Sequence, residues 1–142
     1  MILFDSPANE NSREGISLLE SLMDACGISK NDYYVSYIIK CSQIAQDASD
    51  RLNQAKYCRR HLASEFKLIK PSIIMLCGSG AYEAFYGVRP DGNKIRGEFI
   101  TKNNFSIITS CNPCLALNNT DLKLLLYEDM NKIKNKLSEF QK

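Results

Sequence analysis

Apolar and polar positions along the chain fall into two alternating periods. Short apolar runs with the spacing of strands occupy Met1–Phe4, Tyr33–Ile39 and Ser72–Cys77. The last is a continuous apolar run, as in a strand covered on both faces. Glu98–Thr101 and Phe105–Thr109 flank Lys102-Asn103-Asn104, which predicts a hairpin. Between these runs apolar residues recur at helical spacing. Ser12, a candidate N-cap, and Glu14 in the first turn lead into a stripe of Ile16, Leu19, Leu22 and Met23 that stops at Gly27. A second helix is predicted from about Gln54 to Ile69, with Cys58, Leu62, Phe66 and Ile69 on one face and Pro71 closing it. A third opens at Gly78-Ser79-Gly80 and ends near Gly87. The last spans Thr120 to Phe140, capped by Thr120 or Asn119, with Leu122, Leu126, Met130, Ile133 and Leu137 in register.

Strands alternating with helices predict a three-layer α/β/α sandwich around a central, mostly parallel sheet. The 142 residues suffice for a single domain covering 1–142 and one core. With 44% apolar and 24% charged residues the composition is that of an ordinary globular protein, and no apolar run approaches a membrane span. The start, Met1-Ile2-Leu3-Phe4, reads as a strand and lacks the basic, long apolar pattern of a signal peptide, so a cytoplasmic protein is expected. The net charge of +2 permits nucleic-acid binding through local patches without requiring it. Six cysteines in such a compartment are expected to be reduced, with Cys26 and Cys77 in the core.

Two loops carry the chemistry. Phe4-Asp5-Ser6-Pro7-Ala8 follows the first strand and Ser110-Cys111-Asn112-Pro113-Cys114 follows the last. Both stand at C-terminal strand ends, where open α/β sheets bind ligands. Asp5 and Asn112 are expected on one side of the sheet, after adjacent central strands. Taken by themselves, Asp5 before Ser-Pro and Asn112 before Pro are also good turn formers, and that reading stays open.

Together with Leu68-Ile69-Lys70-Pro71-Ser72 through Cys77-Gly78-Ser79-Gly80-Ala81, with Ile95-Arg96-Gly97 and with Tyr127-Glu128-Asp129-Met130, these loops resemble the uracil-DNA glycosylase superfamily, most closely its iron–sulfur branch. An unrelated flavodoxin-like domain is the alternative. The resemblance implies that Asp5 stands where that branch has a Glu that orients the attacking water, and Asn112 where most relatives have a His that hydrogen-bonds the departing base. It puts Ser6, Pro7 and Tyr37 in the base pocket, Tyr37 in place of an Asn that reads the uracil edge. Tyr lacks the paired donor and acceptor of an amide. The chain also runs from Glu14-Gly15 straight into Ile16, where relatives insert a loop with a stacking aromatic residue.

DNA phosphates would be held by the Gly78-Ser79-Gly80 helix start, Arg96, Gly97 and Ser110. Leu115 and Leu117 match a loop that wedges into the duplex, or else pack in the core. Lys56, Arg59, Arg60 and Lys67 form a basic helix face that reads as solvated, and His61 as a surface residue. Cys41 and Cys58 match two of four cluster ligands; the other two would precede the first strand, so no cluster, cofactor or metal is expected. Cys111-x-x-Cys114 has metal or redox spacing but lies in the pocket loop. The expected function is a diverged DNA-binding module of replication or repair, with DNA and a replication or repair protein as partners, little uracil excision and no membrane. Open alternatives are an active glycosylase using Asp5 and Asn112 on a modified base, and a protein-interaction module. The Lys/Asn-rich composition suits a compact viral or low-GC bacterial genome.

Overall fold

Five strands form one sheet in the order β2-β1-β3-β5-β4 in the computed structural model, which describes residues 1–7, 12–41, 46–91 and 95–141. The strands are β1 (Ile2–Phe4), β2 (Val35–Tyr37), β3 (Ile73–Cys77), β4 (Phe99–Lys102) and β5 (Phe105–Ser110). β1 pairs in parallel with β2 and β3, β3 in parallel with β5, and only β4 runs antiparallel, as the hairpin partner of β5. The sheet is therefore mostly parallel, as the alternation of elements predicts.

The helices are α1 (Ser12–Ala25), α2 (Ala48–Ile69), α3 (Gly78–Tyr86), the short α4 (Pro113–Ala116) and α5 (Thr120–Phe140), with a 3-10 turn at Lys30–Asp32. Side chains of β1 and β3 alternate between two apolar layers. Ile2, Phe4, Met75 and Cys77 meet Leu19 and Met23 of α1, Ala116 of α4 and Leu126, Met130 and Ile133 of α5. Met1, Leu3, Ile74 and Leu76 meet Ala55 and Leu62 of α2 and Ala81 and Ala84 of α3 on the other face. That is the three-layer sandwich, with α1, α4 and α5 on one side and α2 and α3 on the other. Among the described residues no helix is long and apolar enough to cross a membrane.

Several boundaries differ from the sequence reading. β2 is three residues long, because its hydrogen bonding continues past Tyr37 as a bent strap in which Ile38 and Ile39 donate to the carbonyls of Phe4 and Asp5. α2 begins six residues before Gln54, started by Asp47, whose carboxylate accepts from the Ser49 N–H. Of the two candidate caps of α5 it is Asn119 that serves, its side chain accepting from the Leu122 N–H. Ser12 is the first residue of α1 rather than its cap, and the residue before it lies outside the described residues.

The cysteines divide as well. Cys77 is in the core and Cys26, assigned there from the sequence, is only half-buried, near the end of α1. His61, Lys56, Arg59, Arg60 and Lys67 are exposed along α2, which fits a solvated face.

A candidate nucleic-acid site at the C-terminal edge of the sheet

The parallel strands β1, β3 and β5 all end at the same edge, so the residues that follow them meet there. Asp5 follows β1, Gly78 follows β3 and Asn112 lies two residues beyond β5. Asp5 and Asn112 share this edge, as expected, although their strands are not adjacent: β3 lies between them, and α3 starts in the gap.

That start is shaped by glycine. Gly78 has φ +91, and a Cβ on it would lie 3.0 Å from Cβ of Asn112. A Cβ on Gly80 would lie 2.9 Å from Oδ2 of Asp5. The helix start is thus clasped between the two site residues. Ser79 and Gly80 are exposed, and no side chain caps α3, which leaves its first N–H groups directed at the edge.

Asp5 is half-buried, and its Oδ1 accepts from the Ser6 N–H at 2.9 Å. It therefore makes the turn contact that its sequence context favours, while Oδ2 faces Gly80. Asn112 is also a turn residue: its Oδ1 accepts from the Cys114 N–H at 3.0 Å and starts α4, with Pro113 at the first helical position. Its amide NH2 has no partner among the described residues. Ser6 is buried beneath the loop and Pro7 half-buried; Ala8 to Asn11, the rest of the proline loop, lie outside the described residues.

Tyr37 is half-buried at the end of β2, with its ring 6.1 Å from that of Phe4, one residue from Asp5. α1 runs unbroken from Ser12 through Gly15 and Ile16, so no aromatic loop interrupts it there. A Cβ on Gly15 would meet Sγ of Cys114 at 2.5 Å, which shows how tightly α1 is seated on α4. Leu115 is 69% exposed beside the site, so it is not a core residue, and Leu117 is half-buried.

The thiols beneath the edge are inert by position. Burial raises the Cys77 pKa well above that of a free thiol, helped by Cys111, Cys114 and Asp5. Burial raises Cys114 too, with Asp5 and the exposed Glu14 of α1 adding to it. Cys111 is raised by burial and its Sγ–H faces the Leu122 carbonyl, an arrangement unlike a reactive pair. Farther off, Cys41 is exposed and hydrogen-bonded to the buried Cys58, which raises the Cys41 pKa. Two thiols are half of what a four-iron cluster takes, and among the described residues no group of three or more metal-binding side chains exists. The described donor set does not fit a cluster.

The sequence reading placed Arg96, Gly97 and Ser110 on this edge but did not pair them with Asp129. Arg96 and Gly97 run beside the end of β5, the Gly97 N–H donating to the Thr109 carbonyl at 2.8 Å. Behind them Asp129 of α5, 0% exposed, accepts from Ser110 Oγ at 2.5 Å and from Arg96 Nη1 at 3.1 Å on each oxygen. A signal for it existed. Asp129 falls on the same helix face as Leu126, Met130 and Ile133, and a carboxylate on a buried stripe must be paired.

Residues 7–137 match the family described as the Uracil DNA glycosylase superfamily. The chain belongs to that superfamily. It is similar to the type-4 uracil-DNA glycosylase of Saccharolobus solfataricus, 24% identical over 132 residues that make up 87% of this chain and 61% of the relative. It is also similar to the type-4 uracil-DNA glycosylase of Thermotoga maritima, 28% identical over 127 residues, 87% of this chain and 65% of the relative. The chain thus spans less than two thirds of the length of these curated relatives. The match takes in Tyr37, α3, the Arg96–Gly97 segment and Asn112, so most of the edge described above lies within the family region, while Asp5 and Ser6 precede it.

Proposed function

We propose that residues 1–142 form a single DNA-repair domain that holds DNA across the C-terminal edge of its sheet and excises uracil weakly or not at all. One observation carries this reading. Asp5, the open start of α3 and Asn112 converge at that edge, while the Tyr37 ring stands beside Phe4 next to them. The first three make a polar edge at a helix start, whose first N–H groups are suited to a phosphate. The fourth occupies the position where an edge-reading amide would be needed, and a phenol cannot replace the amide's paired donor and acceptor. The substrate side is therefore DNA, and cytoplasmic action in repair or replication is consistent with it. A replication or repair protein is the partner this reading would call for.

A second reading has its own observation in its favour. The amide NH2 of Asn112 is free among the described residues and can donate to a departing base, and Oδ2 of Asp5 is free of hydrogen bonds there and can orient a water. On that reading the domain is a glycosylase for a modified base that fits beside Tyr37.

Excision assays on single-stranded and duplex oligonucleotides carrying uracil and several modified bases test both. DNA binding without base release supports the first reading. Release of a modified base that is lost in Asp5→Asn supports the second. Robust uracil release lost in Asp5→Asn overturns the first. No DNA binding at all leaves the fold as a protein-interaction module.

A further inference from the structure

We propose that Asp129 is a positioning residue that aims Arg96 at a DNA phosphate, an inference that rests on the DNA-binding reading above. Asp129 lies on the apolar stripe of α5, where a carboxylate loses its hydration and an apolar side chain of similar size would pack at no such cost. What surrounds it is organised around its charge. Ser110 Oγ donates at 2.5 Å, Arg96 Nη1 lies 3.1 Å from both oxygens, and Lys132 Nζ lies 3.8 Å from Oδ1. Lys132 also donates to the Gly97 carbonyl at 2.9 Å. Gly97 itself has φ +75, and a Cβ there would lie 2.9 Å from Oδ1 of Asp129 and 2.8 Å from Lys132 Nζ. Only glycine lets the Arg96–Gly97 segment lie this close to α5.

The consequence is directional. Asp129 engages Arg96 through Nη1 alone, and the Arg96 side chain is 30% exposed. Its Nε and Nη2 have no partner among the described residues, and these two nitrogens form the planar edge that binds a phosphate with two parallel hydrogen bonds. The same carboxylate holds Ser110, which begins the loop carrying Asn112. One buried anion thereby fixes the phosphate fork relative to the Asp5–Asn112 cleft. Arg96 and Lys132 against Asp129 leave one net positive charge.

That charge arithmetic separates aiming from plain charge balance. Fluorescence anisotropy of a labelled oligonucleotide is measured over a salt series for the wild type, Arg96→Ala, Arg96→Lys and Asp129→Asn, with circular dichroism to verify folding. Asp129→Asn adds one positive charge at the groove. If Asp129 aims Arg96, affinity nonetheless falls about tenfold and the salt slope drops by about one, as in Arg96→Ala. Arg96→Lys keeps the charge without the planar fork and should behave like Arg96→Ala. Equal or tighter binding by folded Asp129→Asn overturns the proposal, and so does Arg96→Lys that binds like the wild type. Should Asp129→Asn not fold, Arg96→Lys decides by itself. A wild type with no salt-sensitive DNA binding instead removes the DNA reading, and this inference with it.

Discussion

Oδ2 of Asp5 lies so near Gly80 that a methyl group on the glycine would sit 2.9 Å from it. The contact ties the loop after β1 to the start of α3, and it separates stability from function. Alanine favours a helix over glycine by about 1 kcal/mol. The clash is with the tip of a side chain, which can swing aside. Gly80→Ala should therefore melt within a few degrees of the wild type while displacing the carboxylate from the cleft. DNA binding, or base release where there is any, should suffer. A large loss of melting temperature would mean that the Asp5–Gly80 contact serves the fold first.

Tyr37 offers the converse test, a gain. Its ring packs against Phe4 at the end of β2, and Tyr37→Asn would put an amide where the proposed function assigns the reading of the uracil edge. The lost packing should cost about 1–3 kcal/mol. If the phenol is what excludes uracil, the variant should release uracil from single-stranded DNA faster than the wild type, measured as alkali-sensitive strand breaks. A folded variant with no gain would show that the missing stacking loop or Asn112 sets the limit instead.

Much of this was legible in the sequence because the signals were local. The unbroken apolar run before Gly78 gave β3, and the Pro- and Asn-containing turns marked the two site loops. Asp5 and Asn112 could be placed at one edge because parallel strands end together. Strand order was not local, and the insertion of β3 between their strands could not be read from spacing. The early start of α2 escaped because residues 48–53 lack an apolar stripe and depend on the Asp47 cap. The wall formed by Asp129 escaped for a related reason. A search for apolar periodicity steps over a charged residue, and its partners Arg96 and Ser110 are 33 and 19 residues away.

Thiol reactivity should follow burial. Cys77 is 1% exposed and its pKa is raised well above normal by burial, with Cys111, Cys114 and Asp5 adding to it. The reactive form is the thiolate, so this residue should be alkylated last in the native protein. Cys41 is exposed and should be alkylated first, although its hydrogen bond to Cys58 raises its pKa and makes labelling faster as pH rises. Peptide mass spectrometry after timed iodoacetamide treatment gives the order. Labelling of Cys77 as early as Cys41 without denaturant would contradict the buried environment beneath Asp5.

Gly15 is where α1 is pressed hardest onto the site. A Cβ there would lie 2.5 Å from Sγ of Cys114, and also 3.1 Å and 3.3 Å from the Cys114 backbone N and Cα. Helix propensity favours Gly15→Ala by about 1 kcal/mol, whereas forcing a methyl group into a packed contact costs about 1–3 kcal/mol. The backbone atoms cannot rotate away as a side chain can, so the clash should win and urea unfolding should show a net loss. Cys114→Ala in the same chain removes Sγ and leaves the backbone contacts. The double variant should therefore recover part of the loss and no more, and α4 should shift together with Asn112, its cap. Weakened DNA binding in Gly15→Ala, partly restored in the double variant, would follow from that shift. Full recovery of stability would mean that the thiol alone sets the spacing between α1 and α4.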